Sequence, residues 1–365
     1  MNCKKIEEVI LSKSGERKNP ILCFVLFILS LFYSALSWLK NSLYSSGLLK
    51  KKKLPCKVVS IGNLTVGGSG KTPVTIYLAK LLSQIGLKVV VISRGYKRKS
   101  KGITIVSNGA EVLTKSIEAG DEPTLIAQRL LKKKDSELLG VPVIVGSNRY
   151  KAGLLAIEKF SPDVIVLDDG FQHIKLERDL DILLIDSLRG FGNGHLLPRG
   201  PLRENASGSK RASIIMVKGE DPLNFTLPTI SEKPIFNFSY KPKSLEDLSG
   251  NIASDFGMLT GQSVLALAAI ADPAPFFEIL NGLGANITST LTYPNHHWFT
   301  TKEVKQIRRE SLEVDLLVTT EKDAVRLKTS ETGVGLRAYA LTIDVVISDE
   351  EVFIQTIKSK LDLEN

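Results

Sequence analysis

The chain has 365 residues, 43% hydrophobic and 24% charged, and a formal net charge of +9. That length suits two domains plus an appendage and buries enough apolar surface to fold without staples, while Cys3, Cys23 and Cys56 are too few and too scattered for a disulfide framework or a metal motif, which fits a reducing compartment. The basic excess, gathered near the N-terminus and in Lys97–Lys101 and Lys132–Lys134, suits an anionic partner such as a nucleotide or a lipid head group; no nucleic-acid motif accompanies it, so nucleic acid ranks last.

Residues 1–20 are polar and basic, and Ile21–Trp38 then runs without a charge. As a helix that run spans about 27 Å, near the lower limit for crossing a bilayer. Tyr33 and Trp38 are natural interface residues, and Lys40 and Lys50–Lys53 follow, which favours a cytoplasmic C-terminal side. A signal peptide and a buried core helix are the competing readings; the expectation is a membrane anchor, spanning or lying in the interface.

Val58–Pro73, VVSIGNLTVGGSGKTP, opens as an apolar strand, breaks into a glycine loop and ends on Lys-Thr before a predicted helix carrying Ile76, Leu78, Ala79, Leu81 and Leu82. Strand, glycine loop, Lys-Thr and helix make a cradle for a nucleotide triphosphate. Glycines let backbone N–H groups turn toward an anion, and the helix start adds its own free N–H groups and dipole. Residues Thr65, Val66, Gly67, Gly68, Ser69, Gly70, Lys71 and Thr72 are therefore the candidate ATP-binding set, with Lys71 on the β/γ-phosphates and the Thr72 hydroxyl on magnesium. Where the full pattern has its first glycine this chain has Thr65, so Gly67 and Gly68 are expected to carry the turn.

Val89–Ile92 reads as a buried strand with Ser93-Arg94-Gly95-Tyr96 at its end, where Arg94 can meet a phosphate or remain a solvated surface arginine. Gly120-Asp121-Glu122-Pro123 precedes an apolar segment. Asp121 makes a good helix N-cap with Pro123 early in the helix; the alternative makes Asp121 or Glu122 a general base or a magnesium ligand. Val143–Val145 is a further strand. Val164–Leu167 then runs into Asp168-Asp169-Gly170, the form of a magnesium-organising strand end; adjacent carboxylates repel unless a cation or donor relieves them. Ile182–Ile185 is another strand, and residues 189–205, with three arginines and Glu204, read as a functional loop.

After the strand at Ala212–Val217, residues 219–262 turn polar, and the domain junction is placed there. A second α/β pattern follows: a strand at Val264–Ile270, a helix near Pro275–Leu283, a loop Tyr293-Pro294-Asn295-His296-His297-Trp298-Phe299, a helix capped at Thr300/Thr301, a core strand at Leu316–Val318, and a tail of one strand and one short helix. The expected division is an N-terminal membrane-associated region over 1–50, a P-loop domain over 51–225 and a smaller α/β domain over 226–365.

Together, GNLTVGGSGKTP (62–73), SRGY (93–96), AGDEP (119–123), DDGFQH (168–173), LPRGPLRE (197–204), YPNHHWF (293–299) and TTEKDAVRL (319–327) closely resemble the tetraacyldisaccharide 4′-kinases, which phosphorylate a lipid A precursor. The resemblance implies a P-loop α/β core with a mainly parallel sheet, a smaller C-terminal α/β domain across a cleft, and an N-terminal hydrophobic helix. It implies ATP and Mg2+, and a glycolipid acceptor, tetraacyldisaccharide 1-phosphate, met at the cytoplasmic face of the inner membrane of a Gram-negative-type bacterium, with no obligate protein partner. Carried across by motif, Lys71 serves catalysis, Asp121 is the base for the sugar hydroxyl and His296 its partner. Thr72, Glu122, Asp168 and Asp169 surround the metal, and Arg94, Gln172, His173, Arg203 and Glu204 line the acceptor side. The chain departs from the family at Asn295, usually Asp, and at Lys97, usually glycine. Two other classes compete. A dimeric membrane-associated ATPase switch shares GGSGKT but puts a lysine where this chain has Val66, and a metal-delivery NTPase needs more Cys and His than are present.

Overall fold

The structure, a computed structural model, describes residues 6, 9–12, 19–132, 140–219, 233–252, 255–329 and 336–363. In chain order its principal elements are α1 (Pro20–Ser45), β1 (Lys57–Gly62), α2 (Lys71–Gln84), β2 (Val89–Ser93), β3 (Ile103–Ser107), α3 (Asp121–Arg129), β4 (Val143–Gly146), α4 (Arg149–Phe160), β5 (Val164–Leu167), β6 (Leu180–Asp186) and β7 (Ile214–Lys218). There follow β8 (Ile235–Asp247), β9 (Ser263–Ala268), α5 (Ala274–Gly282), β10 (Asn286–Thr292), α6 (Thr301–Glu310), β11 (Leu316–Thr320), α7 (Glu321–Thr329), β12 (Tyr339–Ile347) and α8 (Glu350–Lys360). The chain divides into two compact units, one of Met1–Thr75, Arg149–Ser239 and Val346–Asn365, the other of Ile76–Asn148 and Tyr240–Val345. Of the polar stretch 219–262, residues 220–232 and 253–254 lie outside the described residues.

In the first unit the strands run in the order β8-β7-β6-β1-β5, all parallel. Parallel strands covered on both faces read as unbroken apolar runs, and β5 (VIVL) and the first four residues of β7 (IIMV) are buried throughout. Ser60 of β1 lies against Leu167 of β5, so the glycine loop and Asp168–Asp169 leave the sheet at neighbouring strand ends. At such ends open α/β sheets gather their ligands. Leu64, Phe171, Leu183, Ile185, Leu202, Ile215 and Val217 form the core beneath them.

Helix α1 starts with Asn19 capping the Ile21 and Leu22 amides and Pro20 in the first turn. It runs 26 residues, beyond the 18 uncharged ones, because Lys40 and Asn41 continue it onto the rest of its unit. Only Leu26 and Ser30 are buried, while Ile21, Phe24, Phe32, Leu36 and Trp38 are exposed. The core-helix reading is therefore not realised, and the helix is long and apolar enough to cross a membrane.

In the second unit β10-β9-β11-β12 are parallel, and β2-β4-β3 form a run with β3 antiparallel. The apolar run of β9 has the same cause as in the first unit. Val264, Ala266 and Ala268 pack with Phe276 and Leu280 of α5, and the alternating Leu265, Leu267 and Ala269 pack with Val304 and Ile307 of α6. Helix α6 begins with a capping box of Thr300 and Glu303, as its sequence predicts. Helix α3 packs on α7, and Arg129 of α3 pairs with Glu321 of α7 and, at 2.8 Å, with Glu246 of β8.

Candidate active site

The loop after β1 folds as an anion cradle. Gly67 takes φ +114° and Gly70 φ +82°, values that side chains strain to adopt. Thr65 needs no such freedom: it forms an antiparallel bridge with Leu202, flanked by Val66 N–H donating to Pro201 O at 2.8 Å and Arg203 N–H donating to Leu64 O at 2.7 Å. Gly62, at the end of β1, allows a different close approach, since a Cβ there stands 2.5 Å from the Cβ of Phe171. Lys71 opens α2, with Nζ 3.2 Å from Asn63 Oδ1 and 3.8 Å from Asp169 Oδ1. The side chains of Ser69 (Oγ) and Asn63 (Nδ2) are buried with no hydrogen-bond partner among the described residues.

The DDGFQH turn stands beside this cradle. Buried Asp168 accepts from Thr75 Oγ1 of α2 at 3.3 Å. Asp169, at φ +50°, accepts from Arg203 through both oxygens at 2.9 Å. Burial raises its pKa, but Lys71 and Arg203 outweigh burial and hold it below the usual carboxylate value. Gln172 donates to Asn63 O at 2.7 Å and to Glu204 Oε1 at 3.0 Å. Glu204 is buried, with Arg211 donating to both its oxygens at 2.8 and 2.9 Å and Asn41 of α1 at 3.4 Å. Tyr33 of α1 donates to Arg203 O at 2.7 Å. Burial, with Arg149 and Arg178 adding to it, pushes the His173 imidazole down to about 4, so it is neutral at physiological pH.

A second group lies within the other unit. Asp121 is the first residue of α3, after Gly120 at φ +98°. The N-cap expectation is displaced by one residue: Gly120 holds that position and no side chain caps the helix. The buried Asp121 carboxylate meets His296 Nδ1 at 2.9 and 3.2 Å, with Arg326 3.7 Å and Lys322 4.0 Å away. Burial alone raises its pKa, but the His296 hydrogen bond, Lys322 and Arg326 prevail and hold it down at about 2. His296 sits at φ +61°, a left-handed conformation that histidine tolerates better than most side chains, and its ring meets the Tyr96 ring edge-on at 5.3 Å. Glu122 accepts from Lys322 at 2.9 Å.

Residues 22–362 match the sequence profile of the family described as tetraacyldisaccharide-1-P 4′-kinase. The chain belongs to the tetraacyldisaccharide 4′-kinase family. It is 38% identical to a tetraacyldisaccharide 4′-kinase of Syntrophus aciditrophicus, over 93% of each chain, and 38% identical to one of Desulfatibacillum aliphaticivorans, over 99% of this chain and 98% of that one. Its fold resembles the crystal structure of LpxK from Aquifex aeolicus in complex with ATP, with a TM-score of 0.75 and 36% identity over 93% of this chain and 99% of that one.

The residues that the kinase-family motifs single out thus fall into two constellations. Thr65–Thr72, Asp168, Asp169, Gln172, His173, Arg203 and Glu204 belong to the first unit; Asp121, Glu122 and His296 belong to the second. Of the two adjacent histidines only His296 faces Asp121; His297 bonds Glu303 Oε2 at 3.0 Å and stacks on Tyr293. Asn295 is exposed, and Asp121 supplies the carboxylate that orients His296. Arg94 is exposed at the C-terminal end of β2. Sequence reasoning gave no role to Lys322 or Arg326. Their signal was TTEKD at the end of a core strand: Thr320 and Asp323 lock the start of α7 by a 2.6 Å hydrogen bond, which sets the helix on which both cations project.

Proposed function

We propose that this chain transfers the γ-phosphoryl group of ATP to the 4′-hydroxyl of a tetraacyldisaccharide 1-phosphate, the lipid A precursor. Family membership sets the reaction class. The observation that carries the chemistry is the buried Asp121 carboxylate held by His296 Nδ1 at 2.9 Å. A nucleotide switch has no use for such a pair; a transferase needs it to receive the proton of a hydroxyl nucleophile.

The cradle suits a triphosphate: two positive-φ glycines, a lysine, a helix start, and the buried Ser69 Oγ and Asn63 Nδ2 atoms with no hydrogen-bond partner among the described residues. Lys71 is poised between Asn63 and Asp169 to turn to the β/γ-phosphates. The Thr72 hydroxyl in the first turn of α2 and the Asp168 carboxylate offer oxygen donors only, which suits magnesium, an ion that takes one or two protein oxygens with the phosphates and water. Asp169 and Glu122, which the family motifs also associate with the metal, each already face cations. Magnesium bound with the nucleotide would supply positive charge to the β/γ oxygens. In transfer, a bond forms between the 4′-oxygen and the γ-phosphorus, the β–γ bridging bond breaks, ADP leaves, and the hydroxyl proton passes to Asp121. Arg203 and Gln172, fixed through Asp169 and Glu204, are assigned to the acceptor side with His173 and Arg94. The exposed apolar α1, followed by Lys50–Lys53, anchors the chain at the cytoplasmic face of the inner membrane, where an acylated acceptor resides.

The test is phosphate transfer from γ-labelled ATP to detergent-dispersed tetraacyldisaccharide 1-phosphate, with and without magnesium. Magnesium-dependent label in the lipid is the expected result. ATP binding with slow hydrolysis and no labelled lipid would instead establish a switch.

A further inference from the structure

Lys322, the second residue of α7, bonds Glu122 Oε1 at 2.9 Å and lies 3.3 Å from His296 Nε2. An ammonium group offers hydrogens and no lone pair, so the ring nitrogen facing it presents its own lone pair. The other ring nitrogen, Nδ1, faces both oxygens of the Asp121 carboxylate at 2.9 and 3.2 Å. A carboxylate offers only lone pairs, so Nδ1 carries the hydrogen. Asp121 alone would accept either a singly or a doubly protonated ring. Lys322 opposes that freedom, because a second ring hydrogen, at Nε2, would point at the ammonium 3.3 Å away, which stands closer than the Glu122 Oε1 that also faces this nitrogen, at 3.9 Å.

We propose that Lys322 is a positioning residue for phosphoryl transfer: it fixes His296 as the Nδ1–H tautomer, whose hydrogen aims the Asp121 carboxylate and leaves an Asp121 oxygen, not a ring nitrogen, to receive the acceptor proton. This rests on the reading of Asp121 and His296 as the proton-receiving pair. The surroundings hold Lys322 and the ring in place. Glu122 tethers the ammonium, and Asp323 accepts from the Ala269 amide at 3.0 Å and from Thr320 Oγ1 at 2.6 Å. Buried Arg326 donates to the Ala269 carbonyl at 3.0 Å, which ties α7 to the end of β9, next to the loop that bears His296.

The experiment reads the tautomer directly. The full chain, with 15N-labelled histidine, is studied by nitrogen NMR in detergent micelles, and His296→Gln assigns the signals among the four histidines. In the wild type, His296 is expected to show a protonated Nδ1 and a bare Nε2. Lys322→Met is expected to lose that single tautomer and to lower kcat by roughly tenfold or more with KM for ATP little changed, an effect of the size expected for misplacing a proton acceptor. Lys322→Arg should restore the tautomer and part of kcat. A wild-type ring protonated at Nε2, or a Lys322→Met enzyme with wild-type kcat and unchanged ring signals, overturns the proposal. Asp121→Asn is assayed alongside. Its normal turnover would remove the proton-receiving pair itself, whereas an inactive Asp121→Asn beside an unaffected Lys322→Met refutes the lysine's role alone. Should Lys322→Met fail to fold, the wild-type and Lys322→Arg spectra still decide the tautomer.

Discussion

At the scale of single residues, two ionisable side chains, one buried and one half-buried, have opposite fates. Asp121 is kept ionised because the His296 hydrogen bond and the neighbouring Lys322 and Arg326 outweigh its burial, and His173 is kept neutral because its burial and its cations act in the same direction. Asp121→Ala should abolish lipid phosphorylation while leaving ATP affinity within about twofold, since its contacts lie within the second unit and the cradle within the first. Equilibrium nucleotide binding beside a transfer assay checks both halves of that statement. His173 makes stability depend on pH. A folded-state pKa of about 4, below the ordinary imidazole value of 6.5, means that the unfolded chain binds a proton first as pH falls. The neutral imidazole therefore carries no penalty above about pH 6.5, and stability is lost progressively as pH falls from there toward 4. Between pH 7 and pH 5 the wild type should lose about 1–2 kcal/mol more than His173→Gln, allowing for the partial exposure of the ring. Urea denaturation at the two pH values measures it; equal losses in the two proteins would show that His173 does not titrate in this window.

At the scale of elements, what was legible in the sequence followed from burial on both faces. β2, β4, β5, β6, β7, β9 and β11 announce themselves as apolar runs because helices or loops cover both sides of parallel strands. β3 and β10 do not: β3 pairs antiparallel with β4 alone, and five of the seven residues of β10 are solvent-facing or nearly so, leaving TSTLT to read as loop. β8 hides for a related reason, as its burial alternates unevenly through Lys241, Pro242 and Lys243. The glycine loop was legible from its chemistry, and its missing first glycine was explained only by the Thr65–Leu202 bridge, a long-range pairing that local pattern cannot reveal. Gly62 is a case in point. Nothing nearby marks it as essential, yet Phe171 approaches it from another strand end. Gly62→Ala should destabilise the protein by about 1–3 kcal/mol through overpacking, visible as a lowered urea midpoint. A midpoint equal to wild type would mean that the two strand ends separate freely.

At the scale of the whole molecule, α1 is both the proposed tether and a contact. Its apolar residues are exposed, yet Tyr33, Lys40 and Asn41 bond to Arg203, Gln172 and Glu204. The sequence showed the apolar length but not these attachments, because they lie more than a hundred positions away along the chain. Removing residues 1–40 should release the protein from membranes, as sedimentation with vesicles would show, and reduce ATP affinity far less. It should also lower transfer rate in detergent, where no bilayer is involved, because Tyr33 and Lys40 are lost from the loops that carry Arg203 and Gln172. A truncated chain that still sediments with vesicles would rule out α1 as the anchor.

The backbone bridge at Thr65 ties the nucleotide loop to residues far along the chain through main-chain groups alone. Val66 N–H is capped by Pro201 O, Arg203 N–H by Leu64 O, and Leu197 N–H by Leu202 O. In hydrogen exchange these amides form one reporter. Their exchange should slow in step when nucleotide occupies the cradle, which would make the Arg203 amide a clock for an event at Lys71. Side-chain substitution leaves such a clock running, because no side chain is part of it.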